Sequence, residues 1–414
     1  MTFLADIASQ NIALLRALLR ALPRAARVAL FLFFVAGLAD GALMPFFALW
    51  AQREAGVPTA YIGLLLGCYA GGELLATPFV GGIADRLGRR PVLLVSTAGV
   101  GLGFLLLYLT RGAFAAAAAL IVIGIFECVL HPTAATVIAD VVPADKLRAH
   151  FALTRVMSNA GRVVGPALGA LLVFWSLGLV FLGSALSLIA GALAVAALLP
   201  ETWSPEKRAE DDDDEEGLTA LGAAFRDGRL AALLVPIATL EIATSWIEAV
   251  MPLYAVTAGA LTPSGVGLLF TYAAALNVVF ALPITQASAR LPGFTIIVAS
   301  GVALALGFAA LLPAPTLPLL VIAVSLMALA DMLSGPLTQT VVTELAPRNA
   351  RATYMAAFAV VGDLKDTAGP AIGTWLYAVA TGLPWLVGMP VALVAGLALG
   401  LAARRHEAAA ESSD

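Results

Sequence analysis

The sequence predicts an all-α membrane protein with twelve transmembrane helices in two pseudo-symmetric six-helix bundles. Of the 414 residues, 61% are hydrophobic and only 12% are charged, about half the charged fraction of a soluble domain. Apolar stretches of about 20 residues, the length that crosses a bilayer core, recur along the whole chain. The second half of the sequence also resembles the first at a nearly constant spacing.

Twelve apolar stretches define the predicted spans. Each must be helical, because an open strand in lipid would leave backbone groups without hydrogen bonds. In chain order the spans cover residues 28 to 50, 60 to 82, 91 to 110, 113 to 139, 150 to 173, 177 to 199, 230 to 254, 264 to 286, 294 to 313, 317 to 343, 352 to 378 and 384 to 403.

The spans divide the chain into five segments. These are a cytoplasmic N-terminal segment (1 to 27), a first bundle (28 to 200), an acidic cytoplasmic linker (201 to 229), a second bundle (230 to 403) and a cytoplasmic tail (404 to 414). The linker contains "EDDDDEE" at 210 to 216, a composition typical of disordered segments and, less often, of binding tails.

The distribution of basic residues predicts the topology, because Lys and Arg accumulate in cytoplasmic loops. With both termini cytoplasmic, 18 of the 23 basic residues lie on that side, two lie outside and three lie within spans. We therefore expect a multi-pass protein of the cell (inner) membrane. Arg16, Arg20 and Arg24 share one helical stripe beside leucines, which fits either a helix on the membrane surface or a solvated cytoplasmic face.

The two halves align residue by residue over much of their length. "FECVLHPTAATVIADVVP" (126 to 143) matches "ADMLSGPLTQTVVTELAP" (330 to 347), and "GPALG" (165 to 169) matches "GPAIG" (369 to 373), both at a spacing of 204. "ALMPFFA" (42 to 48) matches "AVMPLYA" (249 to 255) at a spacing of 207. Parallel repeats of this kind place a binding site near the bilayer midplane, between the halves.

Charged residues lie inside seven of the spans, and spans 3, 6, 9 and 12 are among those that contain none. Each charge at the bilayer centre costs about 2.5 to 3.5 kcal/mol, so eleven facing lipid would cost roughly 30 kcal/mol. Folded proteins have only about 5 to 15 kcal/mol in reserve. We therefore expect the charged helices to surround a polar cavity and spans 3, 6, 9 and 12 to face lipid.

Acids outnumber bases eight to three within the spans, so the acids cannot all be paired. For any single acid, a structural ion pair is the alternative, such as Glu127 with Arg155 or Asp331 with Lys365. Unpaired carboxylates in a low-dielectric site exchange protons near neutral pH. Glu127 and His131 lie one helical turn apart. The proton-coupling candidates are Asp40, Glu73, Glu127, His131, Glu241, Glu248, Asp331, Asp363 and Asp366.

A second set of residues is predicted to line the cavity and contact cargo. Arg155, Asn159 and Arg162 recur on one helical face, and the aromatic members are suited either to stacking on an organic molecule or to packing. The full set is Phe46, Arg155, Asn159, Arg162, Trp246, Asn277, Lys365 and Trp375.

The loop after span 2 reads "GGIADRLGRRPVL" (81 to 93). It resembles the signature of the major facilitator superfamily (MFS), G-x-L-A-D-R-x-G-R-K-x-x-L. The resemblance implies the MFS fold and a charged cytoplasmic gate in which Asp85 and Arg89 latch the two halves, with Asp140 as a third member. The gate candidates are Gly81, Asp85, Arg86, Gly88, Arg89, Arg90 and Asp140.

"GRVVGPALGA" (161 to 170) resembles the antiporter motif G-x-x-x-G-P-x-x-G-G of the 12-helix drug:proton antiporter branch. Small residues permit close helix packing and proline bends the helix. The packing candidates are Gly161, Gly165, Pro166, Gly169, Gly369 and Pro370. The branch's helix 4 motif, L-x-x-x-R-x-x-Q-G, is altered, because Gly124, Glu127 and Cys128 replace its arginine, glutamine and glycine.

These resemblances imply a proton-coupled secondary transporter that works by alternating access and exports amphipathic or cationic compounds. The alternative is a proton symporter that imports an organic anion or sugar. A membrane enzyme using His131 with Glu127 lacks a second motif, since no H-E-x-x-H occurs, and a channel does not explain the repeat. We expect no cofactor, no metal, no ATP, no nucleic acid and a monomer, with the lipid bilayer, protons and a small molecule as partners.

Overall fold

The structure is a computed structural model that describes residues 22 to 143, 147 to 202, 225 to 288, 290 to 347 and 350 to 411. The predicted surface helix around Arg16 and Arg20 and the acidic run at 210 to 216 lie outside the described residues. Within the described part of the chain all regular structure is helical, which confirms the predicted all-α fold.

Twelve long helices make up the described chain, six on each side of the linker. We number them α1 Arg24–Arg53, α2 Thr59–Leu87, α3 Arg89–Leu109, α4 Ala113–Val141, α5 Leu147–Leu172, α6 Gly178–Leu198, α7 Gly228–Thr257, α8 Pro263–Ser288, α9 Gly293–Ala310, α10 Leu317–Leu345, α11 Arg351–Val379 and α12 Leu383–Glu411. Helices α1 to α6 are called the N-terminal half and α7 to α12 the C-terminal half.

Ten of the described helices are long and apolar enough to cross a membrane by length and composition. The remaining two, α5 and α11, occupy equivalent places in the two halves and carry five of the eleven charged residues of the predicted spans. Arg155 and Arg162 lie in α5, and Asp363, Lys365 and Asp366 lie in α11. These charged residues make the hydropathy of α5 and α11 lower than that of the other ten helices.

Polar and glycine residues define some of the helix ends. Gly88, between α2 and α3, has a φ of 90°, a conformation that favours glycine. At the start of α6 the Glu54 carboxylate accepts hydrogen bonds from the backbone N–H groups of Leu177 (2.8 Å) and Gly178 (3.3 Å). Arg111 pairs with the same carboxylate at 3.7 Å. This contact ties α6 to the end of α1 and to the α3–α4 loop.

The two halves contact each other through a defined subset of helices. Contacts between the halves run from α2 to α11, from α5 to α8, and from α1 to α7 and α8. Helices α3, α6, α9 and α12 pack extensively only within their own halves. None of these four helices carries a midspan charge, and their packing places them away from the contact between the halves, as expected of helices that face lipid.

The halves are closed against each other at one end of the molecule. At the end where α2 begins, the Gly63 N–H donates to Thr374 Oγ1 at 3.1 Å, and Gly267 of α8 packs against Pro166 of α5. Extensive contact between α4 and α10, the central pair toward the other end, is absent from the described chain. We call the end that holds the α2–α3 loop the motif end.

Candidate functional site

The buried charges lie near the middle of their helices, on the faces between the halves. Asp40 and Glu127 occupy the centres of α1 and α4, and Asp331 and Lys365 occupy the centres of α10 and α11. A helix of 30 residues is about 45 Å long, so its centre lies at the depth of the bilayer midplane. The fold therefore brings these predicted residues to one depth.

Four side chains of the N-terminal half form what we call the paired cluster: Asp40, Glu127, His131 and Arg162. His131 Nε2 lies 3.5 Å from Glu127 Oε1, and Arg162 Nη2 lies 3.7 Å from Asp40 Oδ2. Glu127 is only 3% exposed, and its Oε2 has no hydrogen-bond partner among the described residues. The cluster thus holds two carboxylates, one guanidinium and one imidazole around a buried centre.

Two further groups surround the paired cluster. Tyr69 and Glu73, both on α2, interact electrostatically with Glu127. Glu73 also accepts, through its backbone carbonyl, a 2.8 Å hydrogen bond from Thr77. Counting Glu73, three carboxylates share the positive charge of one arginine and one titratable imidazole, so the region is acidic whenever all three are ionised.

The C-terminal half has a different arrangement. Lys365 Nζ forms a 3.3 Å ion pair with Glu241, whereas Glu248 and Asp366 line a cavity between the halves. We call this space the acidic cavity, and its other lining residues are Leu43, Met44, Leu66, Tyr69, Ser245, Ala249 and Pro370. Among the described residues Lys365 interacts electrostatically with both Glu248 and Asp366, although neither carboxylate lies within 4.0 Å of its Nζ.

The ion pairs differ from those that the sequence offered as structural alternatives. Glu127 pairs with His131 rather than Arg155, and Lys365 pairs with Glu241 rather than Asp331. Arg155 is exposed. Its position on α5 is about two turns before Arg162, nearer the motif end, and therefore beyond reach of the midplane carboxylates.

The remaining cargo candidates are divided between exposed, partly buried and packed positions. Asn159 is exposed, and Asn277 is partly buried and donates a 3.4 Å hydrogen bond to the backbone oxygen of Ala273. Phe46 is fully buried against Gly169 and Gly267, and Trp246 is 3% exposed and packs on Gly373. Both rings are packed between helices in this conformation, and stacking of cargo on either of them stays a prediction.

Trp375 is 57% exposed near the end of α11, opposite the motif end. A large aromatic ring at a helix end, in contact with the surroundings, is typical of the belt at the membrane interface. Its placement differs from the predicted cargo contact.

The motif residues form a polar cluster at the start of α3. Arg89 Nε lies 3.4 Å from Asp140 Oδ2 at the end of α4. Glu201, after α6, accepts hydrogen bonds from the backbone N–H groups of Arg89 (2.9 Å) and Arg90 (3.2 Å), and Thr202 Oγ1 donates to Asp140 at 3.0 Å. These described contacts join α3, α4 and the end of α6.

The contacts of Arg89 and Asp140 given above lie within the N-terminal half. The latch between the two halves that the family resemblance implies stays a prediction. Arg86 is exposed, while the burial of Gly81 and the side chain of Asp85 lie outside the described part of the chain.

The sequence reasoning missed three polar residues of these sites: Tyr69, Glu201 and Thr202. The sequence does mark Glu201, because "PET" at 200 to 202 follows span 6 directly. An acid at this position can interact with a helix N-terminus. No comparable signal marks Tyr69, which is one of the seven tyrosines of the chain.

The predicted packing residues lie where helices approach most closely. A β-carbon at Gly161 would overlap the backbone oxygen of Phe34, and one at Gly165 that of Leu38, so α5 lies directly on α1. Gly369 meets Ser245 in the same way on α7. Pro166 and Pro370, each inside its helix, occupy matching positions and are both buried. The backbone contacts give α5 and α11 their place beside the cavity.

The paired cluster includes the potential metal ligands of the described chain. Ligand atoms of Asp40, Glu127 and His131 lie within 4.8 Å of one another, and two carboxylates with one imidazole suit a divalent transition metal. Arg162 lies beside Asp40 and His131 beside Glu127, so each of the two acids already has a partner within the protein.

Twelve helices in two similar halves, with a polar centre that is closed at one end, define a multi-pass membrane transporter for small molecules. The family model described as Major Facilitator Superfamily matches residues 29 to 367. The chain belongs to the Major Facilitator Superfamily, and it is a transporter rather than an enzyme.

Relatives and solved structures agree with this assignment. The chain is 28% identical to the class D tetracycline resistance protein of Salmonella ordonez, over 81% of this chain and 85% of the relative. It is 24% identical to the multidrug resistance protein MdtH of Aeromonas salmonicida, over 83% and 86%. The fold is similar to that of the nucleoside transporter NupG at a TM-score of 0.79 and 14% identity, over 91% of this chain and 99% of that one.

Proposed function

We propose that the protein is a proton-coupled exporter of amphipathic or cationic small molecules that works by alternating access. Similarity to tetracycline and multidrug resistance proteins over 81% to 83% of this chain supports export. The alternative, a symporter that imports an organic anion or sugar, is not favoured by these relatives. The acidic balance of the cavity also supports a cationic cargo.

The observation that carries the proposal is the paired cluster at the midplane. A carboxylate buried in a low-dielectric medium is stabilised by a cation or by a proton. Arg162 is the one side chain of the cluster that is always positively charged, and it lies beside Asp40. The buried Oε2 of Glu127 has no hydrogen-bond partner among the described residues. Protonation of Glu127 or Asp40 therefore changes which ion pairs can form.

Such a change can be coupled to the movement of the halves. Arg162 lies on α5, which contacts α8 of the other half, and Asp40 lies on α1, which contacts α7 and α8. A proton on Asp40 removes the negative partner of Arg162, so the relative stability of the two conformations changes by the energy of that pair. A ligand shifts a conformational equilibrium only through such a difference in affinity.

The topology and the assembly are part of the same proposal. We place both termini in the cytoplasm of a bacterial cell, in the inner membrane, because the basic loops lie at the motif end. The closed end then faces away from the cytoplasm, as an exporter requires for loading. The transporter acts as a monomer in this proposal, since the cavity is formed by the two halves of one chain.

The experiment that tests the proposal uses Glu127→Gln in proteoliposomes with an imposed proton gradient. We expect the variant to lose gradient-driven transport of tetracycline or ethidium while binding of the same compound stays measurable, because glutamine has the shape of glutamate without its titration. Glu344→Gln, an exposed acid near the end of α10, is the matched control and should transport normally. Unchanged gradient-driven transport by Glu127→Gln would remove Glu127 from the coupling mechanism.

A further inference from the structure

Helices α5 and α8 form one of the two seams between the halves, and they are in backbone contact near the closed end. There a β-carbon at Gly267 of α8 would overlap the backbone oxygen of Pro166 on α5. About three helical turns, or 11 residues, further toward the motif end, the same two faces carry Val278 on α8 and Arg155 on α5. Val278 is 59% exposed, and Arg155 is exposed as well. The seam is therefore open at this depth, and we call the space between the two faces the α5–α8 crevice.

The two walls of the α5–α8 crevice differ in chemistry. On α5, the Arg155 guanidinium forms no ion pair or hydrogen bond with any residue that the structure describes. On α8, Leu282 lies one turn beyond Val278 toward the motif end and is 66% exposed. A charge inside a transmembrane span is costly unless it meets water or an anion. The crevice thus presents a cation without a protein partner beside an apolar wall.

The depths of these side chains match those of a phospholipid in one leaflet. Arg155 lies about 7 Å from the middle of α5, and Val278 and Leu282 lie about 4 and 10 Å from the middle of α8, at a rise of about 1.5 Å per residue. The hydrocarbon of one leaflet is about 15 Å thick, so the two apolar residues lie at the depth of acyl chains. A long arginine side chain extends from such a position toward the headgroups. One lipid can therefore contact both walls.

The other seam, between α2 and α11, has the same shape without the charge. A β-carbon at Gly63 of α2 would overlap the backbone oxygen of Pro370 on α11. At the same distance toward the motif end, the two faces carry Leu74 and Ala359, which are both exposed. At the spacing of 204, Ala359 is the equivalent of Arg155. The repeated framework therefore places a basic residue in one of its two seams and an alanine in the other.

We propose that an anionic phospholipid of the leaflet at the motif end binds in the α5–α8 crevice. Its phosphate pairs with the Arg155 guanidinium, and one acyl chain lies against Val278 and Leu282. Basic pockets between transmembrane helices on the cytoplasmic side bind anionic headgroups, and the motif end is cytoplasmic in the topology proposed above. The bound lipid separates α5 from α8, so it stabilises the conformation in which this seam is open. The inference goes beyond the proposed function, because it holds for export and for import alike.

The test measures the Kd of single lipids for the purified full-length protein by native mass spectrometry. The probe is phosphatidylglycerol, which is anionic, and phosphatidylcholine with the same acyl chains is the matched lipid without net charge. We expect the wild type to bind the first phosphatidylglycerol about fivefold more tightly than phosphatidylcholine. Arg155→Gln should remove this preference, and Arg155→Lys should keep most of it. Arg405→Gln, which removes an exposed cation elsewhere at the motif end, should bind as the wild type does.

Further variants locate the lipid in the seam. Val278→Glu places a carboxylate on the wall opposite Arg155 and should weaken the binding of phosphatidylglycerol about as much as Arg155→Gln does. Leu74→Glu makes the same change at the equivalent position of the α2–α11 seam and should have no effect. Ala359→Arg transfers the charge to that seam and should add a second phosphatidylglycerol with a similar Kd.

Several results would overturn the lipid site. Equal binding of the two lipids by the wild type, or an unchanged preference in Arg155→Gln, would show that the arginine does not hold a headgroup. Unchanged binding by Val278→Glu would place the lipid outside the crevice. Displacement of the lipid by glycerol phosphate at equal concentration would mean that the ligand is a soluble anion. All of these results leave the exporter proposal standing, because the liposome experiment with Glu127→Gln tests it separately.

Discussion

Individual carboxylates at the motif end hold the ends of several helices together. Glu201 accepts backbone hydrogen bonds at the start of α3, and Asp227 caps the start of α7 by accepting from the Arg229 N–H at 2.8 Å. An acid at a helix N-terminus satisfies free N–H groups and interacts favourably with the helix dipole. Each acid therefore makes a local contribution to stability that can be measured separately.

For Glu201 we expect a loss of stability on substitution by alanine. Removal of a helix cap costs about 0.5 to 2 kcal/mol, and Glu201→Ala would also leave the first N–H groups of α3 dependent on water. The measurement is the midpoint of thermal unfolding in detergent, followed by tryptophan fluorescence, with Glu344→Gln as the control. A midpoint equal to that of the wild type would show that Glu201 does not support α3.

For Asp227 we expect a dependence on acid pH. The Tyr354 hydroxyl donates to Asp227 Oδ2 at 2.6 Å, and this bond, followed by the Arg229 backbone N–H, lowers the pKa of the Asp227 carboxyl. A carboxyl whose pKa is lowered by folding stabilises the protein above its unfolded pKa of about 3.9. That contribution is lost as the pH falls through the lowered, folded value.

The corresponding experiment compares Tyr354→Phe with the wild type between pH 3 and pH 7. The variant should unfold at a lower temperature at pH 7, and the difference should shrink as the pH falls below about 4. A difference that stays constant with pH would mean that the hydroxyl contributes by packing alone and that the Asp227 charge is not involved.

The sequence predicted which charged residues lie at the centre of the spans. It did not predict their ion-pair partners. The i, i+4 spacing gave the contact of Glu127 with His131, because both lie on one helix. The pairs Asp40 with Arg162 and Glu241 with Lys365 connect different helices, and they depend on how each helix is rotated about its axis. Periodicity in one sequence does not determine that rotation, so the pairs offered for Arg155 and Asp331 differ from the observed ones.

At the scale of helices, close backbone approach joins the halves at the end opposite the motif. A β-carbon at Gly63 of α2 would overlap the backbone oxygen of Pro370 on α11, and the Gly63 N–H bonds to Thr374 nearby. Glycine thus permits a contact that other residues would prevent. The contact closes this end in the conformation described here.

We therefore expect Gly63→Ala to open this end. The methyl group must push α2 away from a backbone atom, which disfavours the closed arrangement. The measurement is the distance between spin labels at Arg53→Cys and Thr381→Cys, two exposed sites in different halves, after Cys68 and Cys128 have been replaced by serine. The mean distance should increase relative to the parent.

The matched control is Gly71→Ala on the same helix, because a β-carbon there would meet no atom within 4 Å. It should leave the distance distribution unchanged. Equal distributions for Gly63→Ala and its parent would show that this contact does not determine closure.

The helices extend beyond the predicted spans in a regular way. Span 12 was predicted to cover residues 384 to 403, whereas α12 covers Leu383–Glu411, and α2 continues to Leu87. Hydropathy detects the segment in contact with lipid and ends where polar residues begin. A helix continues into the polar region as long as its backbone hydrogen bonds continue, so its ends depend on capping and on turns such as Gly88.

At the scale of the whole molecule, the sequence repeat predicted the pseudo-symmetry and the polar centre. The repeat did not predict which end of the molecule is closed, because the contacts inside each half are the same whichever end is closed. Alternating access requires two such states of similar free energy. The domain bounds 28 to 200 and 230 to 403 stay predictions, as do the individual roles of the cavity residues.

The pseudo-symmetry is broken in the chemistry of the centre. One half contains acids with internal partners, and the other contains Glu248 and Asp366 around a cavity. An exporter needs a site for protons and a site for cargo that influence each other through the same conformational change. At the spacing of the repeat, Arg162 of one half corresponds to Asp366 of the other, so the two halves differ in charge at this position.

The central claim is that export is coupled to protons. Proton and cargo fluxes recorded together in the same proteoliposomes test it most directly. The vesicles contain the wild-type protein and an internal pH-sensitive dye, and tetracycline or ethidium is added to one side. We expect cargo uptake into the vesicles to drive protons outward, so that the lumen becomes more alkaline in proportion to the cargo moved. Acidification of the lumen together with uptake, or cargo movement without any proton movement, would contradict proton-coupled export.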